Sequence, residues 1–228
     1  MRYDAEHKER TRARVVKEAA KAIRAEGPHR IGVATVMAKA GLTHGGFYAH
    51  FASKDDLVVA AMSQMFDEAT AKFDRLTAGK PPAAALRGYI DFYLSRQHRD
   101  ARDTGCPLPS LSADLPRLGV AARQQFAAGV AGLTARIGGL LSALGRPDSE
   151  MLASSALAEM VGALSLARGV ADPKQSDAIL KDSRSSLKRR LGLVESDRTS
   201  QAPRQFGASR SELGRTRCEA VNASRARK

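Results

Sequence analysis

The stretch from Ile31 to Leu57, IGVATVMAKAGLTHGGFYAHFASKDDL, constrains the fold more than any other part of the chain. Apolar Val33, Val36, Met37 and Ala40 recur at helical spacing, and Gly41 then ends the helix in the left-handed conformation without a Cβ clash. The chain therefore turns there. Thr43 stands where it caps a second short helix, in which Phe47 and Phe51, four apart, anchor one face in a core while His44 and Tyr48 form the neighbouring row. Gly45 and Gly46 make this helix poor, each costing about 1 kcal/mol relative to alanine. Near the start of a helix aimed at nucleic acid they have a use, because a bare backbone approaches phosphate closely and turns its N–H groups toward the anion. An ordinary surface loop is the plain alternative, and a nucleotide-phosphate loop lacks the Lys-Ser/Thr that must follow its glycines. Ser53 and Asp56 form a capping-box-like start to a further helix from Lys54 to about Lys72. Two short helices joined by a tight turn and followed by a long one read as a helix-turn-helix, with DNA as the first partner to consider.

The residues AKAGLTHGGFYAHFASKDDLV resemble the signature of the TetR family of bacterial transcriptional regulators. The resemblance rests on Ala40-Gly41, Thr43, Tyr48, His50-Phe51, Lys54 and Leu57 in register, and covers about residues 8 to 62. It implies that Tyr48 and Lys54 hold DNA phosphates and that Thr43, His44 and Gly45 face base edges, with Gly46 and His50 in the same DNA-facing set. It further implies a homodimer that answers to a small-molecule effector. Two positions depart from the family pattern: Gly32 stands where Ser or Thr often caps the first motif helix, and Met37 where a small residue is common.

With 228 residues and 43% apolar content the chain can bury an ample core. Ala, Leu, Arg and Lys fill long periodic stretches and alternating β-branched runs are rare, so the fold class is all-α, a three-helix helix-turn-helix domain plus a larger helical domain. A net charge of +13 favours a polyanionic partner without implying sequence specificity. No apolar run approaches the ~18 residues of a membrane span and no hydrophobic leader follows the N-terminal charges, which predicts a cytoplasmic protein with no membrane partner. Cys106 and Cys218 lie far apart, against a disulfide framework, and no metal-ligand spacing, cofactor motif or catalytic grouping is visible, so no enzyme is expected.

In chain order, Lys8 to Ala25 reads as a helix with Val15, Val16, Ala19, Ala20 and Ile23 on one face and Arg10, Arg14, Lys17, Lys21 and Arg24 on a solvated or DNA-facing one. Residues 1–56 form the DNA-binding domain, 57–193 the ligand-binding and dimerisation domain, and 194–228 a basic tail too poor in apolar residues to order itself. A helix from Ala83 to about Gln97 carries Tyr89 and Tyr93, either plain core or the wall of a small-molecule pocket, and ends on an exposed His98. Cys106, in an irregular Gly/Pro-rich segment, is a buried small side chain or a pocket-lining thiol; Arg99, Arg102 and Arg117 would lower its pKa, and Asp100, Asp103 and Asp114 raise it. Phe126 completes the candidate pocket with Tyr89, Tyr93 and Cys106, on a helix from Arg117 to Leu144. Helices Ser149 to Gly169 and Gln175 to Leu191 are expected to pair across a two-fold axis, so that residues 149–191 form the dimer interface, Leu164 lies near its centre, and Ser154, Ala158 and Gly162 permit close approach.

The leading expectation is a DNA-binding transcriptional regulator, a repressor released from a palindromic operator by a small-molecule or electrophilic inducer. An architectural nucleic-acid binder acting through its basic surface, or a helical small-molecule enzyme, are the alternatives from other classes.

Overall fold

A computed structural model describes residues 2–194, which places the expected tail, beyond Val194, outside the described residues. Those residues are helical throughout, with no strand among them. α1 (Arg2–Glu26) begins before the expected Lys8, since nothing in its polar first turns breaks a helix and Glu6 pairs with Arg10 one turn on. It stops where Gly27 takes φ 87° and donates its N–H to the Ile23 carbonyl at 2.9 Å. Val15, Val16, Ala19, Ala20 and Ile23 are buried, as the spacing predicts. Arg24 departs from the expected solvated row. One turn beyond Ala20, it is only 6% exposed, and its guanidinium donates to Glu68 at 2.6 Å and to the Met65 carbonyl at 3.4 Å.

α2 (Val33–Lys39) closes in a Schellman motif: Leu42 N–H donates to the Met37 carbonyl and Gly41 N–H to that of Ala38, with Gly41 at φ 72°. The second motif helix is a 3-10 helix, His44–Ala49, and Thr43 precedes it without a side-chain cap bond. The glycine pair and the short length explain the difference from the expected capped α-helix, because so few residues cannot nucleate one. Phe47 and Phe51, stacked with centroids 5.5 Å apart, hold the segment to the core.

α3 (Lys54–Thr77) starts on Ser53, whose hydroxyl accepts from Asp56 N–H at 3.1 Å, and outruns the expected end at Lys72 because Phe73 and Leu76 continue its apolar row. α4 (Pro82–Tyr93) breaks at Leu94, and Ser95 caps a separate short α5 (Arg96–Asp100), in place of the single helix expected to run to Gln97. α6 (Pro107–Leu111) and a 3-10 turn, Leu115–Arg117, occupy the Gly/Pro-rich segment. The long helices α7 (Val120–Ala143), α8 (Ser149–Gly169) and α9 (Pro173–Arg190) complete the described chain.

Two apolar cores divide these elements. The first gathers α1, α2, Phe47, Phe51 and α3 from Leu57 to Met65, closed by Leu111 and Ala122. The second gathers Phe66 and Phe73 with Tyr89, Ile90 and Tyr93 of α4, Leu133, Ile137 and Leu141 of α7, Met160 and Leu164 of α8, and Leu180 and Leu187 of α9. α3 serves both, with the change between Met65 and Phe66. Leu164 is wholly buried here, so it is not the interface residue expected; charge at this position would attack the core itself. Contrary to the expectation of no long apolar run, α7 and α8 are each long and apolar enough to cross a bilayer by length and composition. α8 uses that character to pack against α7 and α9, which is the ordinary role of an apolar helix in a helical core.

Candidate functional site

The helix-turn-helix presents its polar side chains on a rigid base. Phe47 points inward while Tyr48, next to it, is 74% exposed, its ring edge-on to Phe47 at 5.2 Å. Thr43, His44 and Gly45 are exposed as well, and Gly46 and His50 are half-buried. A Cβ at Gly45 would meet nothing within 4 Å, so the backbone there is open to a partner, whereas at Gly46 it would touch the Met37 methyl at 3.7 Å. Met37 thus fills the space under the glycine, which accounts for a large residue at that position. Lys54 sits at the N-terminus of α3 with its ammonium on the His29 carbonyl at 3.0 Å. That bond is exposed and leaves further ammonium protons for an anion.

His50 faces two cations of α1. Burial, then Lys8 and Arg12, hold its pKa below the ordinary histidine value, and its Nδ1 has no hydrogen-bond partner among the described residues. Arg12 lies over the Phe51 ring, 4.9 Å from the centroid. Lys8 and Arg12 stand beside the expected DNA-facing set without having been part of it. Their four-residue spacing on α1 was the available signal, overshadowed by the longer basic row that starts at Arg10.

A cavity of about 340 Å³ lies between α3, α4 and the turn before α6. Tyr89, Tyr93 and Cys106 line it, and Phe126 does not. Phe126 instead packs edge-on against Phe66 at 5.9 Å, touching both cores. Burial raises both tyrosine phenols well above their ordinary pKa, and Phe73 packs edge-on to Tyr89 at 4.6 Å. The Tyr93 hydroxyl, near the Cys106 thiol, makes no hydrogen bond of normal geometry among the described residues. Burial also pushes the Cys106 thiol up, against smaller opposing effects of Tyr93, Arg24 and Arg168. The neighbouring arginines and aspartates of the sequence do not govern it, because the side chain is 7% exposed and desolvation dominates.

His98, expected at the surface, is 3% exposed and forms part of the cavity wall. Its Nδ1 lies 2.8 Å from the Tyr93 carbonyl, and Cys106 N–H donates to its Nε2 at 3.0 Å. Only the neutral ring protonated on Nδ1 satisfies both bonds. Its burial follows from the break in the helix at Leu94, which folds α5 back under α4.

Residues 15–61 match the family described as "Bacterial regulatory proteins, tetR family". No curated protein sequence matches the chain. Among solved structures, a TetR transcriptional regulator from Chloroflexus aurantiacus is 24% identical with a TM-score of 0.70, over 82% of this chain and 96% of that one. A TetR-family regulator from Agrobacterium tumefaciens is 22% identical with a TM-score of 0.69, over 80% and 98%. The reduced form of NemR from E. coli is 20% identical with a TM-score of 0.69, over 78% and 95%. At these identities the structural likeness is one of fold, and it extends over nearly the whole of each relative. Residues 15–61 thus carry a helix-turn-helix of the kind found in the tetR family of bacterial regulatory proteins, and the described chain shares the two-part helical fold of the TetR-family regulators it resembles.

Proposed function

We propose that the chain is a cytoplasmic homodimeric repressor that binds a palindromic operator and leaves it when a small molecule occupies the cavity at Tyr89, Tyr93 and Cys106. The observation that carries the DNA-binding reading is Tyr48: a large ring exposed beside Phe47, which fixes its backbone in the core. In this reading Tyr48, Lys54 and the Lys8–Arg12 pair hold phosphates, and Thr43, His44 and Gly45 meet base edges. The test is a duplex selected from a random pool, titrated with salt against random duplex. Lys54→Ala should weaken binding to both and flatten the log K against log salt slope by roughly 0.9 for each phosphate no longer neutralised. An unchanged slope removes Lys54 from the interface, and equal affinity for selected and random duplex favours an architectural binder instead.

Dimerisation through 149–191 is supported by the outward face of α8. Met151 and Leu166 are 67% and 63% exposed, and the small residues Ser154, Ala158 and Gly162 are exposed between them. A two-fold axis along this row would bury the large apolar side chains and bring two backbones close. Leu166→Glu should therefore yield a folded monomer, raising the dimer dissociation constant at least ten-fold, or about 1.4 kcal/mol, in sedimentation. A dimer of unchanged affinity would move the interface elsewhere.

The link from cavity to DNA runs through Arg24 and Glu68. Glu68 lines the cavity on α3, and its carboxylate binds the Arg24 guanidinium of α1 inside the DNA-binding unit. A ligand that favours a different setting of α3 shifts the population away from the half-site spacing the operator requires. The buried, poorly ionised thiol of Cys106 favours reversible binding over electrophile capture as the trigger.

A further inference from the structure

The charges around the cavity do not cancel. Glu68 is the only carboxylate among the lining residues, and both its oxygens are engaged: Arg24 donates to one at 2.6 Å and Gln64 to the other at 3.0 Å. Lys72 and Arg75 follow one and two turns along α3 and line the same cavity. Neither has an ion-pair partner among the described residues, and Lys72 Nζ lies over the Phe92 ring, 4.7 Å from its centroid. Arg168 adds a third cation behind Gly105. It is half-buried, and its guanidinium donates to the backbone carbonyls of His98 and Arg99, both at 3.0 Å, and to no carboxylate among the described residues.

The cavity therefore presents a field of positive sign and an aromatic floor of Tyr89, Phe92 and Tyr93, with one buried phenol hydroxyl, that of Tyr93, lacking a hydrogen-bond partner among the described residues. We infer that the effector is an aromatic carboxylate, its carboxylate held between Lys72 and Arg75 and its ring against Tyr89, Phe92 and Tyr93. The inference rests on the reading of this cavity as the effector site. A cationic ligand would meet two lining cations with the one acid already neutralised by Arg24. A neutral ligand of the same shape gains the ring contacts alone. Arg75 is exposed, which moderates the preference: an ion pair at a solvated mouth contributes of the order of a ten-fold change in affinity rather than a thousand-fold one.

Three probes with one ring, one chain length and three head groups isolate the charge: 4-phenylbutyrate, 4-phenylbutanol and 4-phenylbutylamine, titrated calorimetrically into the full chain. The acid is expected to bind about ten-fold tighter than the alcohol, with the amine weakest. In Lys72→Gln/Arg75→Gln the acid should fall to within about two-fold of the alcohol, while the alcohol keeps its affinity. Ala69→Trp, which fills the cavity, should abolish binding of all three and so locate the site. No detectable binding of the acid, equal binding of acid and amine, or a preference that survives the double substitution overturns the inference. Duplex selection on the ligand-free protein is run in parallel. An acid preference without any specific duplex sinks the regulator reading alone, and specific duplex binding without an acid preference sinks the ligand assignment alone.

Discussion

Acidification from pH 6.5 to pH 5 is expected to remove about 2 kcal/mol of folding stability through His98 alone. Burial first, and then the nearby cations Arg168 and Lys72, lower its pKa from 6.5 to about 4, although the bond to the Tyr93 carbonyl pulls the other way. The folded protein keeps the ring neutral, because a proton on Nε2 would abolish the acceptor used by Cys106 N–H and place a charge in an apolar site. Between pH 6.5 and 4 the unfolded chain therefore binds the proton that the folded chain refuses. Stability is full above pH 6.5 and is lost as pH falls toward 4, where the total reaches about 3 kcal/mol. The measurement is urea unfolding at pH 7, 6 and 5 and one fixed protein concentration, on wild type and His98→Gln. The glutamine variant should be less stable at pH 7 but flatter by about 2 kcal/mol between pH 6.5 and 5. Parallel decline in both proteins would mean that surface carboxylates, not His98, govern acid sensitivity.

The placement of His98 was not legible in the sequence. Its partners are two backbone groups, brought to it by a helix break at Leu94 and a turn at Cys106, and no side-chain pattern announces either. Arg24 is hidden for a related reason. Its place in the basic row of α1 is regular, but the Glu68 that draws it inward is 44 positions away. Periodicity reports the face a residue occupies, not the partner that a second helix brings to it. Where local chemistry decides, the sequence suffices. Gly41 ends α2 in the left-handed conformation, Phe47 and Phe51 are buried four apart, and α8 spans Ser149–Gly169, set off by Pro147 before it and the loop to Pro173 after it. Of the candidate pocket, Tyr89 and Tyr93 share an apolar helical row and Cys106 a turn, whereas Phe126 sits on a helix whose apolar residues lie on nearly every side. Its facing partner, Phe66, could not be chosen from spacing.

Gly129 is the residue whose role the sequence hides most fully, and Gly129→Ala is expected to destabilise the protein by about 2 kcal/mol. A Cβ there would lie 2.3 Å from two carbons of the Phe66 ring and 2.4 Å from a third, closer than side chains approach one another. Phe66 cannot swing aside, since it is 5% exposed and already edge-on to Phe126. The strain must then be met by moving α7 away from α3, the helix that carries both the DNA-binding core and the cavity wall. Alanine gains roughly 1 kcal/mol over glycine in a helix interior, so the expected loss is what remains after that gain. Gly139, on the same helix, supplies the contrast, because a Cβ there would meet nothing within 4 Å: Gly139→Ala should stabilise by about 0.5–1 kcal/mol. Phe66→Leu should partly rescue Gly129→Ala, giving a favourable coupling of about 1 kcal/mol in a double-mutant cycle. If Gly129→Ala raises stability as Gly139→Ala does, the ring does not bear on the glycine, and the spacing of α3 and α7 is set by other side chains.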